Sequence, residues 1–182
     1  MAQYSIITAP AGGVLSLATL KAFLRLDPAY TSEDTVLTMI LSSVQSTFER
    51  YTGLVLQSTV FELTNSSMSI EAVIHIAKSP VTAISSVKVL IDGTYQTITD
   101  YTTSLGYNSH VHIDGFFPSY GEHTSFKIQF TAGLTTIPED IKMAMYQASA
   151  YAYENRGYCA VDGSGFPQSA KNVYDSYKVI WI

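Results

Sequence analysis

The sequence is poor in charge. Asp, Glu, Lys and Arg make up 14% of its 182 residues, against about 25% in an average soluble domain. The 10 basic and 15 acidic side chains leave a net charge of −5, and no local cluster of Lys and Arg offsets that balance. This excludes the basic patch with which a protein grips nucleic acid through its phosphates. Cysteine is nearly missing as well: Cys159 stands alone. No intrachain disulfide is open to it, which excludes a disulfide scaffold and a cysteine-rich zinc site and fits synthesis in a reducing compartment. No apolar run approaches the ~18 residues that a membrane helix requires. The opening MAQYSIITAP lacks a basic n-region and is too short and polar for a signal peptide. The expectation is a soluble protein without a membrane partner.

What is present is aromatic. There are 13 Tyr and 8 Phe. A low-charge, Tyr-rich surface is typical of protein–protein contact patches, because Tyr adds contact area at small entropic cost. The same composition also suits a β-rich core with many strand tyrosines. A chain of this length buries roughly two-thirds of its unfolded surface, so it folds as one domain, or one domain with a sizeable insertion, without covalent staples.

Periodicity divides the chain into helical ends and a β middle. After an N-terminal arm (1–15), Ser16 is a good N-cap for a short helix with Leu17, Leu20, Phe23 and Leu24 on one face. Asp27-Pro28 is expected to end that helix. A second helix begins near Ser32, with Glu33 and Asp34 favourably placed in its first turn. It carries Val36, Leu37, Ile40, Leu41, Val44, Phe48 and Tyr51 at spacings of three and four, and Gly53 stands where a C-cap glycine belongs. Residues 16–53 thus read as a helical hairpin. From 54 to 136 the period falls to two. Strands are expected in VLQSTVFEL, AVIHIA, AISSVKVLI, TYQTIT, HVHID and SFKIQFTAG, about six in all, with Asp92-Gly93 as the clearest hairpin turn. Helix returns over 137–157: Pro138 suits its first position, Glu139 and Asp140 its first turn, and Arg156 with Gly157 its close. Residues 158–182 hold a loop and a last short helix, from about Gln168 to Lys178, before the apolar end VIWI. The fold class is therefore α+β. A helical core forms from the N-terminal hairpin and the C-terminal helices, with a central antiparallel β insertion.

Chemistry is hard to find. His110 and His112 share a strand face and could begin a metal site. Two ligands are too few, and a third would have to come from His75, His123 or Asp114, so polar strand residues are the better reading. Ser164 lacks the strand–turn–helix context of a nucleophile elbow. Cys159 follows a helix end, where nothing local lowers its pKa. APAGGVLSL has no P-loop lysine and reads as a flexible arm. The carboxylate pairs Glu33/Asp34 and Glu139/Asp140 are accounted for by helix N-termini. The dense polar cluster Tyr153, Glu154, Asn155 and Arg156 fits a helix C-terminus with a favourable cation. No catalytic set, metal site or cofactor is expected. An alternative non-catalytic role, sugar binding by Tyr95, Tyr107, Phe116, Phe117 and Tyr120, leaves the helical ends without a purpose, and a small hydrolase lacks its nucleophile and base.

Several segments taken together resemble the head-to-tail connector family of long-tailed bacteriophages and gene transfer agents. They are LSLATLKAFLRLD (15–27), SEDTVLTMILSSVQSTFERYTGLVL (32–56), SPVTAISSVKV (79–89), the Asp92-Gly93 turn, Tyr101, and FTAGLTTIPEDIKMAMYQASAYAYENRG (130–157). Their order is collinear over roughly 15–157, and the helix close Tyr153-Glu154-Asn155-Arg156 is the most recognisable piece. The C-terminal SAKNVYDSYKVIWI departs from the leucine-rich, basic stretch common in that family. The resemblance implies a structural virion protein at the head–tail junction, made in the host bacterial cytoplasm. It would form a homo-oligomeric ring, a dodecamer, under the portal protein, and offer a platform to the next neck or tail protein. DNA would pass through its channel without sequence-specific binding, and the negative net charge would keep a channel wall from holding it. Another neck component, a stopper or tail-completion protein, is the alternative within the same class. Trp and Tyr at a chain end are hot-spot residue types. Tyr174, Tyr177, Lys178, Val179, Ile180, Trp181 and Ile182 are therefore the candidate portal-docking segment, unless Trp181 folds back onto the domain.

Overall fold

A computed structural model describes residues 2–10, 12–65, 73–91, 93–113, 125–156 and 166–179. In chain order the elements are β1 (Gln3–Thr8), α1 (Leu17–Phe23), α2 (Asp34–Thr52), β2 (Thr59–Asn65), β3 (Val73–His75), β4 (Val81–Ile91), β5 (Thr94–Ile98), β6 (Tyr101–Ser104), β7 (His110–Ile113), β8 (Phe126–Ala132), α3 (Glu139–Glu154) and α4 (Gln168–Ser176). This is the expected α+β class. The chain forms two compact units: a helical one from the described residues of 11–56 and 136–178, and a β one from those of 1–10 and 57–135 with Val179.

In the helical unit, the Ser16 hydroxyl caps α1 by accepting a bond from the Thr19 N–H at 3.4 Å, as its side-chain type predicts. The helix stops earlier than Asp27-Pro28. Arg25 takes a positive φ of 57°, and the Leu26 N–H returns to the Lys21 carbonyl, which closes the helix end as a left-handed residue does. Helix α2 starts at Asp34, with Glu33 at the cap position, and ends on Gly53 at φ 77°, the left-handed C-cap that glycine adopts without a Cβ penalty. Its buried stripe is Leu37, Leu41, Val44, Phe48 and Thr52. Val36, expected in that stripe, is exposed. Pro138 sits one position earlier than expected, as the N-cap of α3. The buried face of α3 mixes Ile141, Met145 and Tyr146 with Ala144, Ala148 and Ser149. Those small residues permit the close approach that brings α3 against α1, α2 and α4. The N-terminal hairpin does pack on the helix that follows Pro138.

The β unit corrects the sequence reading in two places. Among the described residues it has eight strands where about six were expected, and one of the additional two lies in what was read as the N-terminal arm. Strand β1 pairs antiparallel with β2, from Gln3 opposite Thr64 to Thr8 opposite Val60, with a register shift between Ile6 and Thr8. The other unexpected strand, β6, pairs with β7. All neighbours are antiparallel, in a five-stranded sheet of order β1-β2-β8-β4-β5 and a three-stranded sheet of order β3-β7-β6. Strands β4 and β5 form a hairpin that closes with Ile91 opposite Thr94, and Gly93 has φ 78°. Alternation divides the larger sheet cleanly. Phe61 and Leu63 of β2, Val87 and Val89 of β4, and Phe126, Ile128 and Phe130 of β8 are buried. The opposite face carries Glu62, Lys88, Lys127 and Gln129, whose Glu62–Lys127 pair is 3.5 Å apart. Ile74, Ile76, Val111 and Ile113 supply the buried side of the smaller sheet. After β8, Gly133 has φ 151°, and a Cβ there would lie 2.6 Å from the backbone of Gln57 and Ser58. Only glycine fits that crossing.

Candidate interaction surfaces

Helix α4 holds the first residues of the candidate docking segment, and it places them unequally. Tyr174 is fully buried. Its ring meets Phe48 edge-on at 4.8 Å and Phe166 edge-on at 4.9 Å. This corrects the expectation that Tyr174 is a surface anchor: α4 is amphipathic, and Tyr174 falls on the same face as the buried Ala170, four residues earlier, where Phe48 of α2 and Phe166, two residues before α4, pack against it. Its hydroxyl has no hydrogen-bond partner among the described residues, and burial pushes its pKa up. Tyr177 donates to the Asp140 carboxylate at 2.9 Å, tying the end of α4 to the first turn of α3. Lys178 is exposed, with its ammonium 5.2 Å from the centroid of the Tyr51 ring. Val179 is half-buried. Ile180, Trp181 and Ile182 lie outside the described residues.

Tyr51 also donates to Asp175, which accepts a 2.8 Å bond from Lys171 one turn earlier. The Asp175 carboxyl is held below its ordinary range, first by Lys171 and then by Tyr51. Together these contacts pin α4 to α2 along one polar edge.

The family-like helix end does more than close α3. Tyr153 donates to Glu33 Oε2 at 2.5 Å, and Arg156 Nη2 reaches Glu33 Oε1 at 2.8 Å. The Arg156 guanidinium also lies 4.3 Å from the Tyr153 ring centroid, an attractive cation–π placement. Both oxygens of Glu33 are therefore engaged, and its pKa is lowered by the Tyr153 hydrogen bond first and by Arg156 second. Asn155 caps the helix by donating to the Tyr151 carbonyl at 2.9 Å, and Glu154 is exposed. The cluster thus clamps the end of α3 to the start of α2. A helix-terminus reading misses this, because its partner lies 120 residues away in sequence.

A second anchor went unnoticed in the sequence. Lys21 on α1 is buried. Its ammonium contacts Asp34 Oδ1 at 2.6 Å and donates to the Tyr30 carbonyl at 2.8 Å, which organises the α1–α2 connection. Lysine is so seldom buried that nothing local marks it.

The three-stranded sheet brings His75 opposite His110, with ring centroids 5.8 Å apart, and His112 follows on the same face. No group of three or more potential metal ligands gathers among the described residues. Asp114, His123, Cys159, Ser164, Phe116, Phe117 and Tyr120 lie outside them. Of the residues considered for sugar binding, Tyr95 has Lys127 4.8 Å from its ring centroid, and Tyr107 is exposed. The more prominent surface feature is apolar. On the helical unit Phe23, Val36, Met39 and Met143 are exposed, Met39 at 66%. Phe23 is stacked on Tyr146. The solvent side of α2 is uncharged from Thr35 to Phe48, and the hydroxyls of Thr38, Ser42 and Thr47 are spent on carbonyls four residues earlier.

Comparison with known proteins places the chain in a family. Curated protein sequences yield no match. Among solved structures, a chain from the neck of an empty gene transfer agent (GTA) particle computed with C6 symmetry superposes with a TM-score of 0.81 at 19% identity. It covers 99% of this chain and 97% of that one. A chain from the virion of a native GTA particle gives 0.78 at 19% identity, covering 98% and 96%. A chain from the neck of a native GTA particle computed with C12 symmetry gives 0.74 at 18%, covering 99% and 97%. At such identities these likenesses concern the fold. The family model of the phage gp6-like head-tail connector protein matches residues 14–114, more than half of the chain and including α1, α2 and strands β2 to β7. The chain belongs to the phage gp6-like head-tail connector family, as a structural component of the head–tail junction of a virion.

Proposed function

We propose that the chain is a non-enzymatic ring subunit that sits beneath a portal vertex, extends the DNA channel and presents a platform to the next neck or tail protein. The observation that carries this reading is the family match over 14–114. Superposition of nearly the whole chain on neck chains from particles computed with C12 and C6 symmetry supports a ring, with twelve copies as the proposed number. The low charge of α2 and its exposed Val36 and Met39 suit lateral burial between copies. The net charge of −5 suits a wall past which DNA slides without being held.

Portal docking is assigned to the end of the chain, Tyr177 to Ile182, with Tyr174 removed from that set because it is core. Tyr177 and Lys178 hold the base of the segment against α3 and α2, and the segment beyond them provides the anchor. Cryo-microscopy of the purified protein mixed with its portal tests the whole reading. The expected result is a ring on the portal, lost when residues 179–182 are deleted while the free chain keeps its circular dichroism. Binding to a tail tube, with no ring on the portal, would replace this reading with that of another neck component.

A further inference from the structure

The five-stranded sheet ends in two different edges, β1 and β5. An edge strand presents unpaired N–H and C=O groups that another strand satisfies. Proteins that keep their edges free usually blunt them with charge or proline. Neither edge here is blunted in that way: β1 reads QYSIIT and β5 reads TYQTI. The one irregularity is the register shift between Ile6 and Thr8, which bends β1 after Ile6 and leaves Gln3–Ile6 as the straight, available run.

The side chains at the rim match the backbone. Tyr4 and Ile6 stand opposite Leu63 and Phe61, so they belong to the core face of the sheet. Tyr4 is covered, packing edge-on to Phe130 and accepting a bond from the Ala77 N–H. Ile6 remains 60% exposed, because the core face runs out at this edge. At the far edge Ile98 is opposite the buried Val87 and is itself half-buried. Each rim thus leaves an isoleucine of the core face incompletely covered. A strand added beside β1 would extend the core face over Ile6.

Resting on the ring reading above, we propose that neighbouring subunits join these edges, with β1 of one copy pairing with β5 of the next. All neighbours within the sheet are antiparallel, so β1 and β5 run in the same direction, and a head-to-tail contact between copies pairs them in parallel. Two unlike edges make a heterologous contact, the kind that closes rings. Pairing of β1 with another β1 would be isologous and would stop at a dimer. A four-residue ladder is small, and it adds registration and strand-to-strand hydrogen bonds to whatever else lies between subunits.

Cysteine cross-linking of assembled rings tests this. Ser5 faces outward opposite Glu62, and Tyr95 and Thr97 face the same side opposite Leu90 and Lys88. In a Cys159→Ser background, rings on the portal are assembled from equal mixtures of Ser5→Cys with Tyr95→Cys or Thr97→Cys protein, confirmed by cryo-microscopy and oxidised. Neighbouring strands lie within disulfide reach. The expected result is a covalent dimer from at least one mixture, a ladder of higher species from the corresponding double variant, and nothing from any single variant alone. Rings without a cross-link in either mixture would overturn the edge pairing and leave the ring reading standing. A cross-link from Ser5→Cys alone would overturn it in favour of β1 with β1. Failure to form any ring would remove both readings. Ile6→Lys supplies an independent arm: a charge on the edge should weaken ring assembly on the order of tenfold while the free chain keeps its melting temperature. Unchanged assembly would count against the pairing.

Discussion

The helical unit and the β unit secure their parts with different chemistry. In the helical unit, distant segments are tied by polar side chains: Lys21 to Asp34 and the Tyr30 carbonyl, Tyr153 and Arg156 to Glu33, Tyr177 to Asp140. In the β unit, backbone ladders do that work, and side chains divide into a buried apolar face and a charged outer one. Helices satisfy their own backbone and so must be fixed to one another by side chains, whereas strands are fixed to one another by the backbone itself. Substitutions should therefore act through packing and polar ties in one unit and through backbone geometry in the other.

The largest effect belongs to the β unit. Gly133→Ala forces a Cβ to within 2.6 Å of the Gln57 and Ser58 backbone at a φ of 151°. It should cost about 4 kcal/mol, read as a drop in the denaturation midpoint with lost amide protection in β2 and β8. A mild effect would show that the crossing can relax, and that the β unit is less constrained by its backbone than described. Next comes Phe48→Ala, which empties the centre of the aromatic cluster with Tyr174 and Phe166. It should cost about 3–4 kcal/mol, with exchange quickening in α2 and α4 first. Lys21→Met follows, at about 2–3 kcal/mol, because Asp34 loses its cation and the Tyr30 carbonyl its donor. Methionine that proved neutral would mean the α1–α2 connection holds by packing alone.

Tyr174→Phe should be small and of the opposite sign. It removes a buried hydroxyl that has no partner among the described residues, so stability should stay level or rise by up to about 1 kcal/mol. The least effect concerns acid. The folded-state pKa of Glu33 is depressed, chiefly by the Tyr153 hydrogen bond. Its contribution is present above the ordinary glutamate pKa and is lost as pH falls through the lowered value. Glu33→Gln should lower stability slightly at neutral pH and flatten its fall through that acid window, so that the two proteins converge at low pH, which paired titration melts would resolve.

Much of this was legible in local pattern. Ser16, Gly53 and Gly93 were placed by side-chain type, since caps and tight turns depend on only a few neighbouring residues. The apolar spacing of α2 marked most of its buried face, Val36 excepted, and the period of two placed β8 as a strand, for the same reason. Strand β1 escaped because its pattern does not alternate: it is an edge, exposed on nearly every residue, and it exists because β2 is there to pair with it. Tyr174 was misread as a surface anchor because an aromatic near a chain end looks unpartnered until Phe48 and Phe166 are brought to it. The Glu33–Tyr153–Arg156 clamp had no signal beyond three polar residues, each of which a helix terminus accounts for.

The sequence by itself determined the α+β class, the two helical ends and the lack of any catalytic motif, and its segments resembled the connector family to which the chain belongs. Those properties follow from short-range periodicity and from composition, which one chain carries openly. The tertiary structure alone decided which tyrosines are core and which remain at the surface. It also decided that a buried lysine organises the first helical connection, and that the larger sheet ends in two unblunted edges. Each of those depends on contacts between residues far apart in the chain, and burial or exposure at such a contact is set by the partner rather than by the residue.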